Sequence, residues 1–200
     1  MAVRQPQQRP KISIPRRPSW QSRYHGVRMT PEQYLALREE KPYLEYVDGM
    51  VVQKPMPTED HGALSFRIGL LIQLWTQDRP GHHIGVEVRT QLGELPNYRL
   101  PDMSYWAPGR QYGGGAVPTL AAEVRSPSQT MGELREKCRF FRRNGVDVCW
   151  LIDPESRTAE IFEGERDAEA VPAGGTLGSG YLPGFELRLE QLFAILDEPS

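Results

Sequence analysis

Between residues 99 and 153 the sequence reads strand, strand, helix, strand, and that order constrains the fold more than any other stretch. Residues 99–106 form the first strand-like run and contain Leu100-Pro101-Asp102. In the second, Ala121, Glu123 and Arg125 alternate with Ala122 and Val124, so a strand places Glu123 and Arg125 on one face. Thr130-Met-Gly-Glu133 is a capping box that opens a helix. At about 100° per residue, Leu134, Cys138 and Phe141 make one apolar stripe, and Lys137 falls inside it. Arg135, Arg139, Arg142 and Arg143 cluster on another, wetter side. Asn144-Gly145 stops the helix, residues 147–152 make an apolar strand, and Asp153-Pro154 turns it.

Two acids leaving strands and a lysine on the packed face of the next helix suit one chemistry. Phosphodiester hydrolysis needs an activated water, a shield for charge developing on phosphorus and help for the leaving oxygen. A hard cation such as Mg²⁺ (or Mn²⁺) held by one or two carboxylates supplies much of this. Asp102 and Glu123 are the candidate ligands, and Lys137 adds a compact positive charge. Beside two carboxylates its ammonium form is favoured, which argues against a simple base. Glu123, flanked by alanine and valine in an apolar run, would be costly to bury unpaired.

These residues carry a resemblance. Pro101-Asp102 followed by Glu123-x-basic resembles the PD-(D/E)xK nuclease superfamily. More closely, the chain resembles the Uma-two family of restriction-endonuclease-like proteins. The matching pieces are Leu44-Glu-Tyr-Val-Asp-Gly49, His61-Gly62, Leu100-Pro-Asp102, Glu123-Val124 with Ser126-Pro127, Lys137 and Trp150-Leu-Ile-Asp-Pro154. Each piece alone is weak; the ordered set, over residues 29–196, is specific. The resemblance implies an α/β fold with a restriction-endonuclease-like core, a central mixed β-sheet flanked by helices, and Asp102 and Glu123 on neighbouring strands near one sheet edge. It implies Glu45 as a further acid of the catalytic set and the Val124 carbonyl as a metal ligand. The superfamily's usual lysine, two residues after the glutamate, is Arg125 here, and an arginine cannot act as a base. The resemblance moves that function to Lys137. Arg125 then has a phosphate or an acid to meet, and His61, near a helix start, has a substrate phosphate or a capping role.

The rest of the chain bounds the setting. Residues 1–28 hold seven Lys or Arg, no acid and four prolines, whereas the remainder has 17 basic and 26 acidic residues. The first segment is therefore expected to be a disordered basic leader able to neutralise phosphates, with the domain at 29–196. No apolar run approaches the ~20 residues of a membrane span, no secretory core is visible, and two cysteines suggest no disulfide framework, which points to a cytoplasmic protein. Thr30-Pro31-Glu32-Gln33 opens a helix that ends before Pro42, residues 44–52 pair around Asp48-Gly49, and a helix follows from His61 to about residue 77. Residues 84–92 and 99–106 are each expected as one strand, 158–163 as another, and 164–180 as a polar segment with five glycines before a closing strand and amphipathic helix. The leading function is a Mg²⁺-dependent endonuclease acting on DNA. A homodimer that cuts both strands stays open. A non-catalytic DNA-binding or partner-binding module with the same fold is the main competitor, and a hydrolase of another phosphate ester is a third.

Overall fold

The computed structural model describes residues 20–197 apart from 39–40, 95 and 165–166. In chain order the elements are α1 (Pro31–Leu35), β1 (Leu44–Val47), β2 (Met50–Gln53), α2 (Glu59–Thr76), β3 (His83–Val86), β4 (Thr90–Leu92), β5 (Asn97–Arg99), β6 (Met103–Trp106) and β7 (Leu120–Val124). They continue with α3 (Met131–Arg143), β8 (Val148–Asp153), β9 (Thr158–Glu163), β10 (Ala168–Val171), β11 (Thr176–Gly178), β12 (Glu186–Arg188) and α4 (Leu189–Phe193). The architecture is α/β, as the sequence implies.

The central sheet has six strands in the order β10-β9-β8-β7-β6-β3. It is mixed, because β7 and β8 run parallel through the α3 crossover while its other pairs are antiparallel. Helices cover both faces. From α2, Leu64, Ile68 and Ile72 pack with Met103, Ala122, Val124, Trp150 and Ile152, together with Leu192 and Phe193 of α4. On the opposite face Leu134, Cys138 and Phe141 of α3 pack with Ala121, Cys149 and Leu151. Fully burying one such side chain contributes about 1.5–3 kcal/mol, so these two layers fix how both helices sit.

Both predicted capping boxes form, at Thr30–Gln33 and Thr130–Glu133. The β1–β2 hairpin turns through Asp48 (φ 48°) and Gly49 (φ 82°), the pair of left-handed residues that a two-residue loop needs. A four-stranded sheet, β2-β1-β5-β4, carries this hairpin. Upstream of residue 29 the chain already packs on it: the Gly26 N–H donates to the Val51 carbonyl (2.7 Å) and Val27 is buried. Residues 1–19 of the expected leader lie outside the described residues.

Two sequence expectations need correction. Residues 84–92 and 99–106 are not single strands; each breaks, and its halves join different sheets, β3 and β6 in the large one and β4 and β5 in the small one. On one chain the break falls at Pro101, which has no N–H to give a ladder. On the other it falls at Glu87, held at φ 55° in the left-handed region. Segment 164–180 also carries the strands β10 and β11, β10 pairing with β9 in the register Ala168↔Phe162. Its short, glycine-separated runs gave no periodic signal.

Candidate active site

The break between the sheets makes the site. Asp102 immediately precedes β6, and the register Met103↔Ala122, carried one residue further, sets it beside Glu123 of β7. The two acids therefore leave neighbouring strands, as implied. However, β6 and β7 are interior strands, so the acids sit at strand ends and not on the sheet's lateral edge. Strand alternation sends Ala122 and Val124 towards α2 and Ala121 towards α3. Glu123 shares the parity of Ala121 and meets the one lysine on the packed face of α3.

Lys137 Nζ lies 3.0 Å from both Glu123 carboxylate oxygens and 3.2 Å from Glu45 Oε1. Glu45, on β1, also accepts from the Leu100 N–H (2.9 Å) and from Arg99 (3.3 Å), tying the small sheet to the site. All three residues are buried or nearly so. Burial works against both charges, yet the Glu123 and Glu45 carboxylates hold the Lys137 ammonium above its ordinary range, and Lys137 with Arg99 holds Glu45 below its own.

A second lysine, which the sequence did not mark, stands on the other side. Lys54, just past β2, donates to Glu87 Oε2 (2.6 Å), the Leu100 carbonyl (2.7 Å) and Asp102 Oδ1 (2.7 Å). Its side chain is only 9% exposed. Asp102 Oδ2 accepts from the Val124 N–H (2.8 Å), and His61 Nε2 lies 3.4 Å from Oδ1. The other ring nitrogen of His61 meets Ser126 Oγ at 3.1 Å. His61 is itself set by α2, whose N-cap Thr58 accepts from its N–H (3.2 Å). Against the penalty of burial, Lys54 and His61 hold the Asp102 carboxyl well below the usual range, and Asp102 in turn raises Lys54 and His61.

Glu123 behaves differently. Burial, with the Asp102 and Glu45 carboxylates beside it, pushes it up to about 7 in spite of Lys137. Its Oε1 is within ion-pair distance of Lys137 but makes no hydrogen bond, and it has no other partner among the described residues. A buried carboxylate oxygen with no hydrogen bond, beside a second carboxylate, is a donor that suits a divalent cation. Asp102 and Glu123 thus fit such an ion. His61, Glu87 and Asp102 also bring one ligand atom each within 4.8 Å of one another.

Arg125 does not join the cluster. Although it shares the parity of Glu123, β7 ends at Val124, and its guanidinium turns to Asp153 (2.8 Å) and Glu155 (2.6 Å) at the end of β8. It lines a cleft of about 540 Å³ with Thr58, Ser126 and Pro127. The structure therefore brings together Glu45, Asp102, Glu123, Lys137 and His61, leaves Arg125 at the rim, and adds Lys54 and Glu87. Proline-flanked Lys54 sits in no periodic element, and Glu87 falls in what reads as mid-strand; neither gives a signal by spacing.

Comparison with known proteins agrees with this fold. A crystal structure of a putative nuclease belonging to DUF820 from Anabaena variabilis superposes with a TM-score of 0.75 at 23% identity, covering 84% of this chain and 99% of that one. That likeness shows the fold. A DrdV–DNA complex aligns with a TM-score of 0.37 at 14% identity over 65% of this chain and 10% of that one, too distant to argue from. No curated protein matches the chain. The family model of Uma2, described as "Putative restriction endonuclease", matches residues 31–190, and the chain belongs to that family.

Proposed function

We propose that the protein is a metal-dependent endonuclease that hydrolyses DNA phosphodiester bonds. The observation that carries this reading is the buried Glu123 Oε1, which makes no hydrogen bond and has only the Lys137 ammonium, at 3.0 Å, as an ion-pair partner among the described residues. Asp102 and Glu123, with the Val124 carbonyl, would hold Mg²⁺ or Mn²⁺. The ion supplies charge neutralisation at phosphorus and lowers the cost of forming a hydroxide nucleophile.

The chain's own residues supply the rest. Lys137 offsets the charge that develops on the non-bridging phosphate oxygens and can orient the attacking water by hydrogen bond. Glu45 also holds that ammonium, at 3.2 Å, so it would keep a partner when Glu123 turns to another cation. His61, pinned by Ser126, stands where it can donate to a substrate phosphate beside Asp102. Outside the basic residues 1–28 the chain is acidic, so leader charges would supply much of the attraction to the DNA backbone.

The competing reading, a non-catalytic DNA-binding or partner-binding module, is favoured by one feature: both oxygens of Asp102 are already engaged within the protein. Incubating supercoiled plasmid with purified protein and Mg²⁺ or Mn²⁺, beside Glu123→Ala, separates the two. Metal-dependent nicking by the native protein alone supports the nuclease. Retained DNA binding with no cleavage under either metal supports the module.

A further inference from the structure

Asp102 poses a structural question for any metal that uses it. Its Oδ2 is committed to the Val124 N–H, and its Oδ1 takes Lys54 at 2.7 Å with His61 Nε2 at 3.4 Å. A carboxylate oxygen has two lone-pair directions, and on Oδ1 one takes the Lys54 ammonium while the His61 ring stands within ion-pair distance. The Lys54 ammonium, meanwhile, is not merely paired. Its three protons meet three oxygens at 2.6–2.7 Å: one from Glu87, one from Asp102 and the main-chain carbonyl of Leu100. Two carboxylates and a carbonyl are the donor set of a hard divalent cation, here coordinating an ammonium.

We propose that Lys54 and a divalent cation are alternate partners of Asp102 Oδ1: an ion held by Asp102 and Glu123 takes this oxygen only when the Lys54 ammonium has left it for Glu87 Oε2 and the Leu100 carbonyl. The proposal rests on the metal-dependent reading above and adds how the ion gains access. In the metal-free protein Lys54 is the resident cation that keeps buried acids from repelling one another and holds Asp102 in place. An ion that takes Oδ1 must displace it, because an ammonium and a dication sharing one oxygen repel strongly in a poorly screened interior. The stem allows this, since lysine is a point charge on four flexible carbons. Two of the Lys54 partners, Glu87 and Leu100, also line a cavity of about 120 Å³ with Tyr34, Tyr43 and Arg89. A withdrawn ammonium can keep Glu87 while giving up Asp102. His61, whose Nε2 already stands beside Oδ1, is left facing the arriving ion.

The test uses the full chain and Mn²⁺ as probe. Calorimetric titration compares native protein, Lys54→Met and Glu123→Gln. Removing the internal competitor should tighten Mn²⁺ binding at least tenfold in Lys54→Met, while Glu123→Gln weakens it. Equal or weaker binding by Lys54→Met, with native binding intact, overturns the alternation and leaves the metal-dependent reading standing. No Mn²⁺ binding by either native protein or Lys54→Met overturns both. Because Lys54→Met leaves buried acids unpaired and could fold poorly, a second measurement uses native protein alone. Acetic anhydride labelling read by mass spectrometry should modify Lys54 several-fold faster with Mn²⁺ than without. Unchanged or slower labelling contradicts its displacement.

Discussion

Lys137 stands on a helix and its two carboxylate partners stand on strands, whereas Lys54 lies past a strand end and draws its partners from two breaks between sheets. The two cages adjoin, yet they are built from different material. In the first, strand parity aims Glu123 at α3, helical phase aims Lys137 back, and β1 brings Glu45 within 3.2 Å of the Lys137 ammonium. In the second, Pro101 and the left-handed Glu87 interrupt two paired strands together, so that a main-chain carbonyl and two acids converge on one ammonium. Regular elements fix Lys137, whose proposed role needs a charge that stays in place. Irregular segments hold Lys54, which under the proposal above moves.

The difference can be broken first at Lys137. Lys137→Met leaves Glu45 and Glu123 buried without their shared cation, and unpairing a buried charge costs about 3–5 kcal/mol. Urea unfolding of native and variant protein should show a loss in that range. A loss below about 1 kcal/mol would mean that the cage is not what holds α3 against the small sheet.

Asp102→Asn comes next. Mn²⁺ should raise the native melting temperature, and this substitution should remove most of that shift, because Asn keeps the shape and loses the charge. An undiminished shift would take Asp102 out of the metal site. The third effect is graded. Glu123, with its carboxyl pushed up to about 7, holds a proton below that pH, and an ion binding there must expel it. Affinity for Mn²⁺ should therefore be flat above about pH 7 and fall by up to roughly tenfold per unit below it. Titration calorimetry from pH 5.5 to 8.5 checks this, and a flat profile would place the ion elsewhere.

The legible part of this site was the part made of periods. Glu123 and Lys137 could be paired from alternation at 2.0 residues and a stripe at 3.6, and the capping box at Thr130 set the helix phase correctly. Glu45 and the position of Asp102 came through the ordered motif set and not through spacing. Lys54 and Glu87 stayed hidden for a physical reason. Glu87 is set by a positive φ, which leaves no mark in composition, and Lys54 lies one residue past β2, outside any period. Glu87 likewise merged β3 with β4 in the reading of the sequence, whereas β5 and β6 part at Pro101, which the sequence shows. Arg125 shows the reverse case: parity put it with Glu123, but its strand ends one residue earlier, and Asp153 and Glu155 take its guanidinium.

Arg125 accordingly sets the smallest effect. Arg125→Ala removes two ion pairs at the rim of the site, to Asp153 and Glu155, and should cost about 1 kcal/mol of stability. Weaker DNA binding is expected from lost charge at the cleft, with little change in the chemical step.

The most direct test is single-turnover cleavage of supercoiled plasmid at saturating protein and Mn²⁺, comparing native protein, Lys137→Met and Arg125→Ala, because it separates the chemical step from affinity. If Lys137 supplies the charge that the reaction needs, Lys137→Met slows cleavage on the order of 10²–10³-fold while DNA binding survives, and Arg125→Ala stays within about tenfold of native. Loss of the chemical step in Arg125→Ala, with Lys137→Met still cutting, would contradict the assignment of that role to Lys137.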